Sequence, residues 1–169
     1  MTPHYVNTDP VKELCKSKLA PDGKIDILWI EKVFEIESLL WNRFDPLTGV
    51  PAFPDPVVIE TNNSYFSQGD LLYTNNDKPE ILITYNKIQP APDSLYSIGS
   101  VLYDLNGQQL FYETQSDKLI ANPYQKLVKV SDQNLALIWN DNRASYFLNK
   151  CIVNEPSVYA KLYGTPSSY

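Results

Sequence analysis

The sequence predicts an α+β domain in which one long amphipathic helix packs on a curved antiparallel sheet or barrel of about six to eight strands. Three observations carry this expectation. Apolar residues recur at helical spacing between Lys24 and Phe44. Short apolar and aromatic runs, separated by turn residues, fill the chain from Val57 onward. The connections between those runs are so short that only antiparallel neighbours can be joined by them.

In chain order, Asp9 and Pro10 suit the start of a short helix with Val11, Leu14 and Leu19 on its apolar side. Pro21-Asp22-Gly23 then breaks the chain. From Lys24 to Phe44 the residues Ile25, Trp29, Val33, Ile36 and Leu40 follow one helical stripe, widened by Ile27, Ile30, Phe34 and Trp41. Asp45-Pro46 ends this helix, because the residue before a proline is pushed out of the α region. The prolines at 46, 51, 54 and 56 make 46–56 a semi-rigid connector.

Strands are expected near 57–61, 70–75, 80–88, 95–105, 108–115, 125–131, 134–140 and 144–151. The best hairpin is Val101–Leu105 joined to Gln108–Thr114 through Asn106-Gly107, a pair suited to turn positions with positive φ. Leu135, Leu137 and Trp139 share one face while Ala136 and Ile138 share the other, which predicts a strand buried on both sides. Residues 154–169 read as a loosely held tail. The expected organisation is thus a single domain over 1–169: a helical part at 1–45, the connector at 46–56, an antiparallel β part at 57–153 and the tail. No family is recognised in these residues. NTF2-like cones and calycin-like barrels are layouts that this order of elements suits, by analogy alone.

Composition narrows the function classes. Apolar residues at 43% and charged residues at 20% argue against wholesale disorder. A formal charge of −6, with no basic run denser than Lys12, Lys16 and Lys18, disfavours nucleic acid and anionic membranes as partners. Cys15 and Cys151 are the only cysteines, and MTPHYVNTDP has neither a basic nor an apolar leader region, so a cytoplasmic protein with two free thiols is expected. No apolar run approaches the length that a bilayer requires.

Candidate chemistry is sparse. His4 is the sole histidine, and zinc would need about four Cys or His ligands. No catalytic residue, metal or cofactor is therefore expected. Glu31 and Glu35 read as a solvated pair on the helix, and Glu60, Glu80 and Glu113 as strand-end or surface residues. The tyrosines are the remaining candidates, since the ring packs while the hydroxyl stays wet. Tyr73, Tyr85, Tyr103, Tyr112 and Tyr146, with Phe53 among the prolines, are the expected binding residues. The leading expectation is a non-catalytic accessory module that binds a protein partner, or itself, through its β face. The alternative is a carrier with an apolar or aromatic ligand between helix and sheet, lined by Trp29, Trp41 and Trp139. A carboxylate-based hydrolase is the remote third.

Overall fold

The computed structural model describes residues 10–62, 65–74, 78–89, 95–119, 124–131, 134–141 and 157–164, and throughout these the chain is all-β. The first antiparallel sheet runs in order through β1 (Val11–Leu19), β2 (Ile25–Val33), β3 (Ile36–Phe44) and β4 (Val57–Asn62). The central sheet runs through β5 (Tyr65–Tyr73), β6 (Glu80–Ile88), β7 (Tyr96–Asp104) and β8 (Gln109–Leu119). The third has β10 (Asn134–Asp141) between β11 (Ser157–Gly164) and β9 (Gln125–Lys129). All three are open, and no closed barrel forms among the described residues.

The α+β expectation is overturned: the segment read as a long helix is the β2–β3 hairpin. Its pairing places Ile25 opposite Phe44, Trp29 opposite Leu40 and Val33 opposite Ile36. The stripe Ile25, Trp29, Val33, Ile36, Leu40 is therefore the outer face of a hairpin. Spacings of four satisfy a two-residue period as well as a helical one, and the two-residue turn switches the parity between Val33 and Ile36. Leu28, Ile30, Leu39 and Trp41 form the inner face, so both faces are apolar and the stripe looked broad. The isoleucines and Val33, branched at Cβ, favour extended backbone. Phe34 holds φ at 56° at the first turn position, where a type II′ turn requires a positive value.

Other expectations change with it. Val11–Leu19 is the edge strand β1, paired with β2 along its length. The connector folds back onto the first sheet: Phe44 bridges Pro51, and the Asn42 side-chain amide donates to the Phe53 carbonyl at 2.9 Å. The segment expected as a loose tail supplies β11, paired with β10 from Asn134–Gly164 to Asp141–Ser157. The strands expected between Val57 and Asn140 are present as β4 to β10, whereas 144–151 lies outside the described residues. The β7–β8 turn is a three-residue loop with Gly107 at φ 86°, its N–H donating to the Asp104 carbonyl. Asn106 does not share the positive φ that a two-residue turn would demand.

The central sheet is buried on both faces. Ile81, Ile83, Tyr85, Val101 and Tyr103 pack with Leu28, Leu39, Trp41 and Ile59 of the first sheet. Leu82 and Ile98, from the alternate positions, pack with Leu127, Leu135, Leu137 and Trp139 of the third. In β6 this makes Ile81 to Asn86 a continuous buried run.

One polar group sits in the first of these cores. The fully buried Asp26 carboxylate accepts from Trp41 Nε1 at 2.6 Å, Tyr73 Oη at 2.6 Å and Arg43 Nε at 3.1 Å. Arg43 is itself only 2% exposed. It donates further to the Leu105 carbonyl at 2.9 Å and to Asp22 at 2.7 Å. Burial pushes the Asp26 carboxyl above its ordinary value, against the opposing pull of these donors.

Two stability measurements follow from this architecture. Arg43→Met leaves the Asp26 charge buried without its counter-ion, so chemical denaturation is expected to show a loss of about 3–5 kcal/mol. Asp26→Leu/Arg43→Met should lose less than Arg43→Met alone. Phe34→Gly removes the strain of a left-handed bulky residue, about 1–2 kcal/mol, less the entropy that glycine adds to the unfolded chain. A net gain of about 1 kcal/mol is expected, and a loss would show that Phe34 makes a compensating contact.

Candidate binding cleft and edge strand

Alternation along β6, β7 and β8 decides which side chains look toward the first sheet. Tyr85, Gly99 and Thr114 lie in one cross-strand row, and Lys87 lies opposite Ser97. Tyr112 lies opposite Val101 on the same face. Glu60 enters this layer from β4, the last strand of the first sheet. Beyond Glu60 the space between the sheets opens into a cleft of about 620 Å³, with Tyr96, Gln89 and Leu95 at its rim.

The floor depends on a missing side chain. The Tyr85 ring lies directly over Gly99, where a Cβ would come within 2.8 Å of three atoms of the phenol. A glycine inside a strand marks such close approach, and an aromatic ring across from it restores the packing. The Tyr85 hydroxyl donates to Glu60 Oε2, and Lys87 donates from Nζ to Glu60 Oε1. The Glu60 and Lys87 side chains are 16% and 19% exposed, so this ion pair is largely shielded from water. Burial, then the hydrogen bond and charge of Glu60, hold the Tyr85 hydroxyl far above its ordinary pKa, which keeps it a donor.

The outer wall of the cleft is β8, which is also an edge of the central sheet. From Gln109 to Thr114 it is exposed except at Glu113, with Leu110, Phe111 and Tyr112 at 46%, 41% and 47%. Pairing with β7 turns Tyr112 toward the first sheet, as Val101 is, and Phe111 toward the third, as Leu102 is. Glu113 is taken up by Lys161 of β11 at 2.5 Å.

The expected binding residues are distributed unequally. Tyr85 and Tyr112 meet in the cleft. Tyr73 and Tyr103 belong to the core, the first bound to Asp26 and the second against Trp41 at 5.3 Å between ring centroids. Phe53 packs edge-on against Trp41 at 5.5 Å. Tyr146 lies outside the described residues, as do His4 and Cys151. The three tryptophans do not share a cavity. Trp29 is on the outer face of the first sheet, Trp41 between the first and central sheets, and Trp139 between the central and third. The helix-and-sheet cavity of the carrier reading has no helix among the described residues to form it.

Nor do the carboxylates converge. Glu60 is in the cleft, Glu113 is on the opposite face of β8, and Glu80 begins β6 opposite Asp104. Glu31 pairs with Lys12, while Glu35 sits in the β2–β3 turn. Reading the sequence alone did not single out Lys87 or Gly99. The available signal was Gly99 inside a strand pattern, which implies that something large lies against the backbone there.

The chain matches no protein-family model, and comparison with curated proteins and with solved structures finds no match either. No helix among the described residues is long and apolar enough to cross a membrane.

The position of Glu80 gives a pH-dependent outcome. Burial, and secondly the charge of Asp104 across the strands, raise its carboxyl above the ordinary 4.5. The folded chain therefore holds this proton more tightly than the unfolded chain, so its contribution improves as pH falls through the window just above 4.5. At neutral pH the ionised pair detracts from stability. Glu80→Gln is expected to gain about 0.5 kcal/mol at pH 7 and to flatten that part of the stability profile. Equal stability of the two proteins across the window would contradict it.

Proposed function

We propose that the chain is a non-catalytic, cytoplasmic protein-interaction module that takes an extended segment of a protein partner as a further strand on β8. The observation that carries this reading is the edge of β8, which among the described residues has no strand on its outer side and carries three consecutive exposed apolar residues. Natural sheets blunt such edges with charges, prolines, short strands or a covering element. Between Gln109 and Thr114 the only charge is Glu113, and Lys161 neutralises it.

An added strand would gain affinity from main-chain hydrogen bonds and specificity from alternate side chains. Phe111 and Tyr112 face opposite ways, so the partner would be read on both sides of the sheet. The cytoplasmic setting rests on the low cysteine count. Cys15 accords with it: the thiol is free, and burial raises its pKa to about 11, which suppresses the reactive thiolate.

The test joins native mass spectrometry with hydrogen exchange on protein purified from its own source. A retained polypeptide is expected to protect the β8 amides, and Phe111→Lys to weaken its retention about tenfold or more. Leu14→Lys, on the outer face of the first sheet, should keep the partner. A complex that survives Phe111→Lys with its β8 amides exchanging freely would refute the reading.

A further inference from the structure

The Glu60–Lys87 pair has hydrogen-bonding capacity left over. A carboxylate offers about four lone-pair positions and an ammonium three N–H groups. Glu60 uses one position on each oxygen, for Tyr85 and for Lys87. Both residues line the cleft. An acceptor-only group thus stands directly beside a donor-only group.

Two adjacent hydroxyls match that arrangement, because each hydroxyl both donates and accepts. One can donate to Glu60 while its neighbour accepts from Lys87. Charged ligands are served less well, since an anion meets Glu60 and a cation meets Lys87, and the pair's own charges cancel. The remaining lining completes the pattern. The ring of Tyr112 offers a flat apolar face, and Ser97 and Thr114 add hydroxyls. A pyranose carries these same two surfaces, a C–H face and a rim of hydroxyls. About 620 Å³ lies within the roughly 300–1,000 Å³ typical of small-molecule sites.

We propose that this cleft binds an uncharged saccharide, with neighbouring hydroxyls on Glu60 and Lys87 and a sugar face against Tyr112. The site shares Tyr112 of β8 with the proposed strand docking, but Phe111 faces away from the cleft, so a change at Phe111 tells the two apart.

The experiment is ligand-observed NMR and calorimetry on the full chain, with maltose, lactose and cellobiose as probes and glucuronate and glucosamine as charged comparisons. Saturable binding of at least one neutral disaccharide is expected, with weaker binding of both charged sugars. Glu60→Gln and Lys87→Met should each weaken binding about tenfold. Tyr112 is half-exposed, so Tyr112→Ala is expected to fold normally while weakening binding to a similar degree. Phe111→Lys should leave sugar binding unchanged, which separates this site from the edge of β8. The proposal is overturned if no neutral disaccharide saturates at millimolar concentration, if a charged sugar binds more tightly, or if Tyr112→Ala folds and binds as the parent does.

Discussion

The carboxylate of Asp26 is the point on which the first two sheets agree. It is buried completely and held by Trp41 and Arg43 of its own sheet and by Tyr73 of the central one. A buried charge tolerates few arrangements, because each unmet hydrogen bond costs far more in a low dielectric than in water. Apolar contacts alone would let the sheets slide by a residue pair at small loss. Arg43 extends the constraint to the Leu105 carbonyl and to Asp22, fixing two loops as well as two sheets. The pair adds little net stability when set against an apolar core of the same volume; what it adds here is a single register.

With the register fixed, the location of the cleft follows. The first sheet ends at β4 and the central sheet continues to β8, so one region of inward-facing side chains is left without a covering strand. The row that would otherwise continue the core carries tyrosines, a glycine, a threonine and an ion pair. Charge in the protein follows the same economy: Glu60 with Lys87, Glu113 with Lys161 and Asp70 with Lys16 each join two different elements.

The β part of the chain was legible where turn chemistry and apolar runs agreed. Strands β4 to β10 overlap the places where those signals put them, although β5 begins five residues earlier than expected; Leu135, Leu137 and Trp139 do share a buried face, whereas Ile138 on the other face is exposed. The N-terminal part was misread because a spacing of four fits both periods, and the β2–β3 turn contains neither glycine nor asparagine to announce itself. The Cβ-branched residues held the contrary signal. Of the candidate site, Tyr85 and Tyr112 could be named from residue type, but type alone could not separate them from Tyr73 and Tyr103, which the core consumes. Lys87 and Glu60 looked like ordinary strand charges; only the stacking of one sheet on another brings them together.

The backbone of Gly99 carries the Tyr85 ring, and the depth of the cavity above is set by an atom that is not there. Adding a single methyl at this position would push against the phenol and its hydroxyl, the same hydroxyl that donates to Glu60. The size of guest admitted and the chemistry that greets it are thus tied together through one aromatic ring.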